Sequence, residues 1–158
     1  MEAVSNSTVL ILLSRVNKIN LLKARFSQII IPSMVKDELL NSESKYKNSQ
    51  MLIQKELNKF IKVEDPKKEI NIDLGFGEKA AISLAYEKDL IFLSDDKKAR
   101  RTAQLYKLNI LGTLGVLLDN LKQKTITKKE FLKYLDLLMN EGYYIAPQLY
   151  SEIIKLIE

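Results

Sequence analysis

The sequence contains no histidine and no cysteine. Ser-His-Asp and Cys-His nucleophilic centres, thiolate redox chemistry and the usual zinc sites are therefore excluded together. What remains for catalysis is carboxylate chemistry, and oxygen ligands of that kind select hard cations such as magnesium, manganese or calcium over zinc and copper. Long hydrophobic runs are also missing. The longest apolar stretch near the N-terminus, Val9 to Leu13, falls short of the ~7–15 residues of a signal-peptide core, and Glu2 stands where a basic run would be. No segment approaches the ~20 apolar residues of a membrane span. The expectation is a protein of the cytoplasm with no membrane partner, and the lack of cysteine agrees with a reducing compartment.

What is present describes an ordinary globular chain. At 158 residues with 46% hydrophobic content, the length fits one domain that buries roughly 70% of the surface its unfolded form exposes. We read residues 1–158 as that domain, with a core over about 1–122 and a helical extension over about 127–158. The net charge of +5, from 25 Lys and Arg against 20 Asp and Glu, favours polyanionic partners such as nucleic acid.

Unbroken apolar runs at Ile29-Ile30-Ile31 and Leu90-Ile91-Phe92-Leu93 lack the in-out alternation of half-exposed strands. They suit a parallel sheet covered on both faces. Ala3 to Ser5 and Asn109 to Leu111 complete the predicted strands. Helices are expected over about Ser7–Val16, Leu21–Phe26, from Pro32 through Leu40, Tyr46–Ile61, from Glu78 past Ala85, after Asp95, Leu114–Lys122, from Thr127 to Gly142, and Pro147–Ile157. Pro32 suits a first helical turn, and Thr127-Lys128-Lys129-Glu130 has the capping-box pattern. The fold class is α/β.

Polar residues read against this layout single out Asn6 after the first strand, Glu38 in the helix after the second, Glu78 behind Gly75 and Gly77, and the pair Asp95-Asp96 at the end of the strand Leu90–Leu93. Ligands in open α/β sheets bind outside the carboxyl ends of the strands, so these groups are expected to converge at one edge of the sheet. Two unit charges ~4 Å apart repel by about 4 kcal/mol at an effective dielectric near 20, and gathered carboxylates need a counter-charge. A divalent cation supplies it, and can polarise a phosphodiester and activate water against it. Lys97, Lys98, Arg100 and Arg101 follow at once and form a basic face for phosphates.

These residues in their settings resemble the PIN-domain family, metal-dependent ribonucleases with a three-layer α/β/α fold. The likeness to a prokaryotic PIN-like group runs through Val4-Ser5-Asn6-Ser7, Ile31-Pro32-Ser33-Met34-Val35-Lys36-Asp37-Glu38-Leu39, Gly75-Phe76-Gly77-Glu78-Lys79-Ala80-Ala81, Asp95-Asp96-Lys97-Lys98-Ala99-Arg100-Arg101, Gly112-Thr113-Leu114-Gly115 and Gly142-Tyr143-Tyr144-Ile145-Ala146-Pro147. The resemblance implies a PIN-like three-layer fold with a short, mostly parallel central sheet and two extra C-terminal helices. It implies Mg2+ or Mn2+ held by Glu38, Glu78 and Asp95 as catalytic acids, with Asn6 and Asp96 in support, and RNA as substrate. Asn6 takes the position of the first Asp in active PIN nucleases, and the amide is common there in the PIN-like group. Many PIN proteins are toxins paired with a small antitoxin, and this chain is similar in size.

Blander readings of the same residues stay open. Asn6, Asp95 and Asp96 can be helix caps or first-turn acids, and Glu38 can be a surface acid. The basic run can be solvated surface, and Tyr143, Tyr144 and Tyr150 can be core or dimer contacts. A catalytically silent PIN-like module that binds RNA or a protein partner is the rival function. A nucleotide-binding domain using Gly75 and Gly77 ranks last, because neither G-x-x-x-x-G-K-[ST] nor G-x-G-x-x-G occurs. The apolar content of the C-terminal helices points to a homodimer.

Overall fold

The computed structural model describes residues 1–41 and 46–158. Five strands, β1 (Glu2–Ser5), β2 (Gln28–Ile31), β3 (Ile61–Val63), β4 (Ile91–Leu93) and β5 (Ile110–Leu111), form one sheet in the order β3-β2-β1-β4-β5. All four pairings are parallel. The helices between and after them are α1 (Ser7–Arg15), α2 (Asn20–Lys23), α3 (Ser33–Leu40), α4 (Lys47–Glu56), α5 (Phe76–Lys88), α6 (Lys97–Leu105) and α7 (Thr113–Lys122). Of these α7 already lies beyond the last strand, and α8 (Lys128–Asn140) and α9 (Pro147–Ile157) follow it.

The strands are short but apolar on both faces: Ala3, Val4, Ile29, Ile30, Ile31, Phe92 and Leu93 are all buried. Only helices above and below the sheet produce that pattern, so the unbroken runs translate directly into an α/β/α sandwich. Helix α5 is itself wrapped by protein, with Ala80 through Ala85 buried in succession, and it packs against β1 and β4.

Helix starts follow local chemistry. Thr127 and Glu130 form the reciprocal capping box at α8, as the pattern predicted. Pro32 stands one residue before α3 as its N-cap and brings no side-chain bond. Asp65 reaches back from the loop after β3 instead, accepting from the Ser33 amide at 2.8 Å and from the Ser33 hydroxyl.

One element departs from expectation. A single helix was predicted from Tyr46 to Ile61, but α4 ends at Glu56, Leu57 is extended, and Asn58 adopts φ 62°. Ile61–Val63 then pairs with Ile29–Ile31, while the Ile29 amide donates to the Phe60 carbonyl at 2.9 Å. Phe60 and Ile61 continue the helical spacing of apolar residues, so periodicity alone cannot detect the break. Cross-strand pairing decides it. Helix α5 also starts at Phe76, two residues before Glu78.

Strands β1 and β4 are neighbours in the sheet, with Ser5 in register with Leu93. The chain leaves β1 toward β2 on one side and leaves β4 toward β5 on the other. This is the switch point of the sheet, and the crevice outside its carboxyl ends is where open α/β folds bind ligands. Asn6 and Ser94 to Asp96 stand there, at the ends of the two central strands.

The C-terminal helices belong to the same apolar core. Phe131, Leu135 and Leu138 of α8, Ile145, and Ile153 and Ile157 of α9 are buried in one cluster with the sheet. Phe131→Ala should therefore cost about 3–5 kcal/mol of folding stability and leave a single urea transition. A separate, low-stability transition for the C-terminal helices would contradict this integration.

Candidate functional site

The crevice begins with Asn6. Its backbone amide prolongs the ladder by donating to the Leu93 carbonyl at 3.1 Å, and its side chain, only 2% exposed, caps α1. The Asn6 Oδ1 accepts from the Thr8 amide at 3.2 Å and the Thr8 hydroxyl at 2.9 Å, while Nδ2 donates to Ser94 Oγ at 2.6 Å. The same two hydroxyls accept from the loop after β4: Thr8 Oγ1 takes the Asp95 amide at 2.9 Å and Ser94 Oγ takes the Asp96 amide at 3.1 Å. One buried amide side chain thus orders both strand ends.

Two glutamates meet beside this bracket. Ser7 donates its hydroxyl to Glu38 Oε2 at 2.9 Å. The other oxygen, Oε1, lies only 2.2 Å from where a Cβ on Gly77 would stand, so the first turn of α5 sits on this carboxylate because residue 77 lacks a side chain. The Glu78 carboxylate folds back over Gly75 in the same way, 2.5 Å from a Cβ there. Partial burial pushes the Glu38 pKa up, the Ser7 bond pulls it down, and the negative charge of Glu78 raises it further. The two like charges lie near enough to repel, and among the described residues neither carboxylate has a salt bridge.

Asp95 is bound differently. Its Oδ1 accepts from the Thr113 amide at 2.8 Å and its Oδ2 from the Thr113 hydroxyl at 2.5 Å, so the carboxylate closes the N-terminus of α7. Burial raises its pKa against the pull of both Thr113 bonds and of the Arg100 guanidinium. Tyr143, from the turn after α8, accepts from the next α7 amide, Leu114, at 3.3 Å. Burial, reinforced by the Asp95 charge, pushes its phenol pKa up to about 12. Asp96 turns to α6 and accepts from the Ala99 amide at 2.7 Å as its N-cap.

A model of the PIN domain matches residues 2–158. The chain belongs to the PIN-domain family. Among solved structures, a PilT N-terminus domain protein from the hyperthermophilic archaeon Sulfolobus solfataricus is similar, with a TM-score of 0.53 and 17% identity over 77% of this chain and 94% of the archaeal one. That likeness is one of fold. VapBC2 from Rickettsia felis, solved bound to a DNA fragment from its promoter, aligns at a TM-score of 0.49 and 14% identity over 71% of this chain and 98% of its own. No curated protein matches the sequence significantly.

Within this PIN domain the predicted residues separate into three groups. Glu38 and Glu78 form a carboxylate pair. Asn6 and Asp96 are committed to backbone amides and to Ser94, and Asp95 to Thr113. Among the described residues no three acids lie close enough to enclose a metal ion by themselves. The basic run divides as well: Lys97, Lys98 and Arg101 are exposed, whereas Arg100 is half-buried, with its guanidinium 3.1 Å from where a Cβ on Gly112 would stand, next to Asp95. Lys98 lies 3.7 Å from Asp73 in a fully exposed ion pair.

Sequence reading overlooked Ser7, Thr8, Ser94 and Thr113, the hydroxyls that hold these acids. Their signal was the placement of hydroxyl residues just beyond three of the strands, β1, β4 and β5, but which hydroxyl meets which acid follows only from how the strands are ordered in the sheet. Among the described residues no helix is long and apolar enough to cross a membrane.

A raised carboxyl pKa in the folded state means stability that is present below the unfolded value, 4.5 for Glu38, and lost as pH rises through the folded value. Glu38→Gln removes the charge and keeps an acceptor for Ser7. Without divalent metal its Tm should exceed that of wild type at pH 7, and the difference should vanish below about pH 4. A Gln variant less stable than wild type at pH 7 in EDTA would show that burial and the charge of Glu78 do not together disfavour the ionised Glu38.

Proposed function

We propose that this PIN domain is an endoribonuclease dependent on Mg2+ or Mn2+, with Glu38, Glu78 and Asp95 as its acids. The observation that supports it is that Glu38, anchored by Ser7 and seated against the missing side chain of Gly77, lies within reach of the charge of Glu78. The donor set contains oxygen alone, which fits a hard cation. Magnesium commonly takes one or two carboxylates and completes its shell with water and phosphate oxygens. Once bound, such an ion polarises a phosphodiester and makes a water acidic enough to attack it.

Each residue of the chain has a distinct part in this reading. Glu38 and Glu78 are the ligating groups, with Ser7 fixing one oxygen of Glu38. Asp95, tethered through Thr113, supports the site from the end of β4, and Asn6 and Asp96 set the backbone on which it stands. Lys97, Lys98 and Arg101 supply positive charge toward phosphates on either side of the scissile one. Arg100 compensates Asp95 instead.

The family resemblance extends the proposal to a toxin with a small antitoxin partner acting in the cytoplasm. The exposed Leu149 and Leu156 of α9 fit a homodimer formed through the C-terminal helices. Calorimetric titration of Mn2+ should show binding to wild type and none to Glu78→Gln. RNA cleavage should fall at least ~100-fold in Glu78→Gln and in Asp95→Ala, as expected for groups placed in the catalytic machinery. Equal cleavage by wild type and both variants would sink the reading.

The buried commitments of Asn6 favour a second reading, a PIN-like module that binds RNA or a protein without cleaving. Both poles of its amide are used, and it adds no charge to the acid pair. Asn6→Asp would keep the Thr8 bonds, with the Ser94 hydroxyl turned to donate, and it would add a carboxylate. Under this reading wild type is inactive and Asn6→Asp gains Mn2+ affinity; robust wild-type cleavage with no gain in the variant would exclude it.

A further inference from the structure

Beside Asp95 runs a groove of about 430 Å³, within the ~300–1,000 Å³ typical of ligand sites. One wall is a single face of α1, Thr8, Ile11, Leu12 and Arg15, at the spacing of one helical stripe. Asp95, Asp96 and Lys97 close one end, and the turn from Glu141 to Tyr144 forms the other wall. The floor is apolar, whereas Lys97 and Arg15 bring positive charge to its rim. Tyr144 is 75% exposed, although an aromatic side chain gains most by being covered.

Arg15 also lines a cavity of about 750 Å³ between α1 and α4, so the two grooves meet at its side chain. Its guanidinium stacks 3.7 Å over the Tyr46 ring, and its Nε, though buried, has no hydrogen-bond partner among the described residues. Glu141 sits at the same junction and, among the described residues lining the two grooves, is the one acid beyond Asp95 and Asp96.

We infer that this groove is a nucleotide subsite for single-stranded RNA, in which Tyr144 stacks on a base and Lys97 and Arg15 face the phosphates flanking it. The inference rests on the ribonuclease reading and deepens it: the C-terminal turn after α8, outside the strands, supplies one wall of the substrate track. An apolar floor with aromatic and cationic rims is the combination that holds single strands, because every base has a face to stack and every linkage a charge to meet. Continuity with Asp95 places the next phosphate toward the acids.

Binding can be measured without cleavage. A short fluorescein-labelled single-stranded RNA of mixed sequence is titrated with the full-length protein in EDTA and followed by anisotropy. Tyr144→Ala should weaken binding about 5- to 100-fold and Tyr144→Phe should restore it, as base stacking requires. Lys97→Ala should reduce the slope of log K against log salt by about 0.7, which Tyr144→Ala should leave unchanged. Wild-type affinity in both Tyr144→Ala and Lys97→Ala, alongside metal-dependent cleavage that Glu78→Gln abolishes, would overturn the subsite and leave the ribonuclease reading standing. The groove would then be left to a protein partner. No RNA binding by wild type and no cleavage would overturn both.

Discussion

The hydrogen bond from Asn6 Nδ2 to Ser94 Oγ at 2.6 Å ties a buried side chain at the end of β1 to the end of β4, and the rest of the crevice is built on it. Parallel strands end without a turn to fix where the chain goes next, so side chains must do so. Through Thr8 and Ser94 the Asn6 amide sets the start of α1 and both backbone amides of the Asp95-Asp96 step. A buried polar group left without its partner costs about 1–3 kcal/mol, and here three groups depend on one residue. The crevice is therefore pinned before any ligand arrives.

Against that bracket the glutamate pair is the strained part. Glu38 and Glu78 come from helices α3 and α5, which pack together, and Gly77 allows the approach. Alanine in the first turn of α5 would be preferred over glycine by up to about 1 kcal/mol, yet its methyl would have to displace the Glu38 carboxylate. Helix propensity, charge repulsion and partial burial all act against this arrangement. These costs are gathered at one place, and the rest of the PIN fold has to absorb them.

The sheet could be read from the sequence because its strands are buried on both faces, which leaves an unbroken apolar run as a plain signature at Ile29–Ile31 and Leu90–Leu93. The capping box at Thr127 is equally local, two side chains answering two amides within one turn. Strand β3 is different: Phe60 and Ile61 satisfy helical spacing, and only the partner strand at Ile29 makes them a strand. The same limit applies to the site. Glu38, Glu78 and Asp95 announce themselves by position after strands or glycines, whereas the division between a paired glutamate couple and an aspartate tied to α7 depends on contacts between segments far apart. Tyr143 packs against the core, as its reading as a core residue expected, and Tyr144 is exposed; that their turn also returns to Asp95 is reported by nothing in the sequence.

That division decides how the acids rank. Asp95 accepts two bonds from Thr113 and stands near Arg100, and charge-assisted bonds contribute about 1.5–3 kcal/mol each. To turn toward a cation it would have to expose the first amide of α7 and leave Arg100 uncompensated. Glu38 has one hydroxyl donor and a like-charged neighbour, so binding a cation relieves it at little cost. Of the acids at the crevice, the two glutamates are thus the less committed to internal partners. Asp95 works from its tether, fixing the end of β4 and the start of α7 around the crevice, and its raised pKa records burial in that scaffold more than contact with the glutamates.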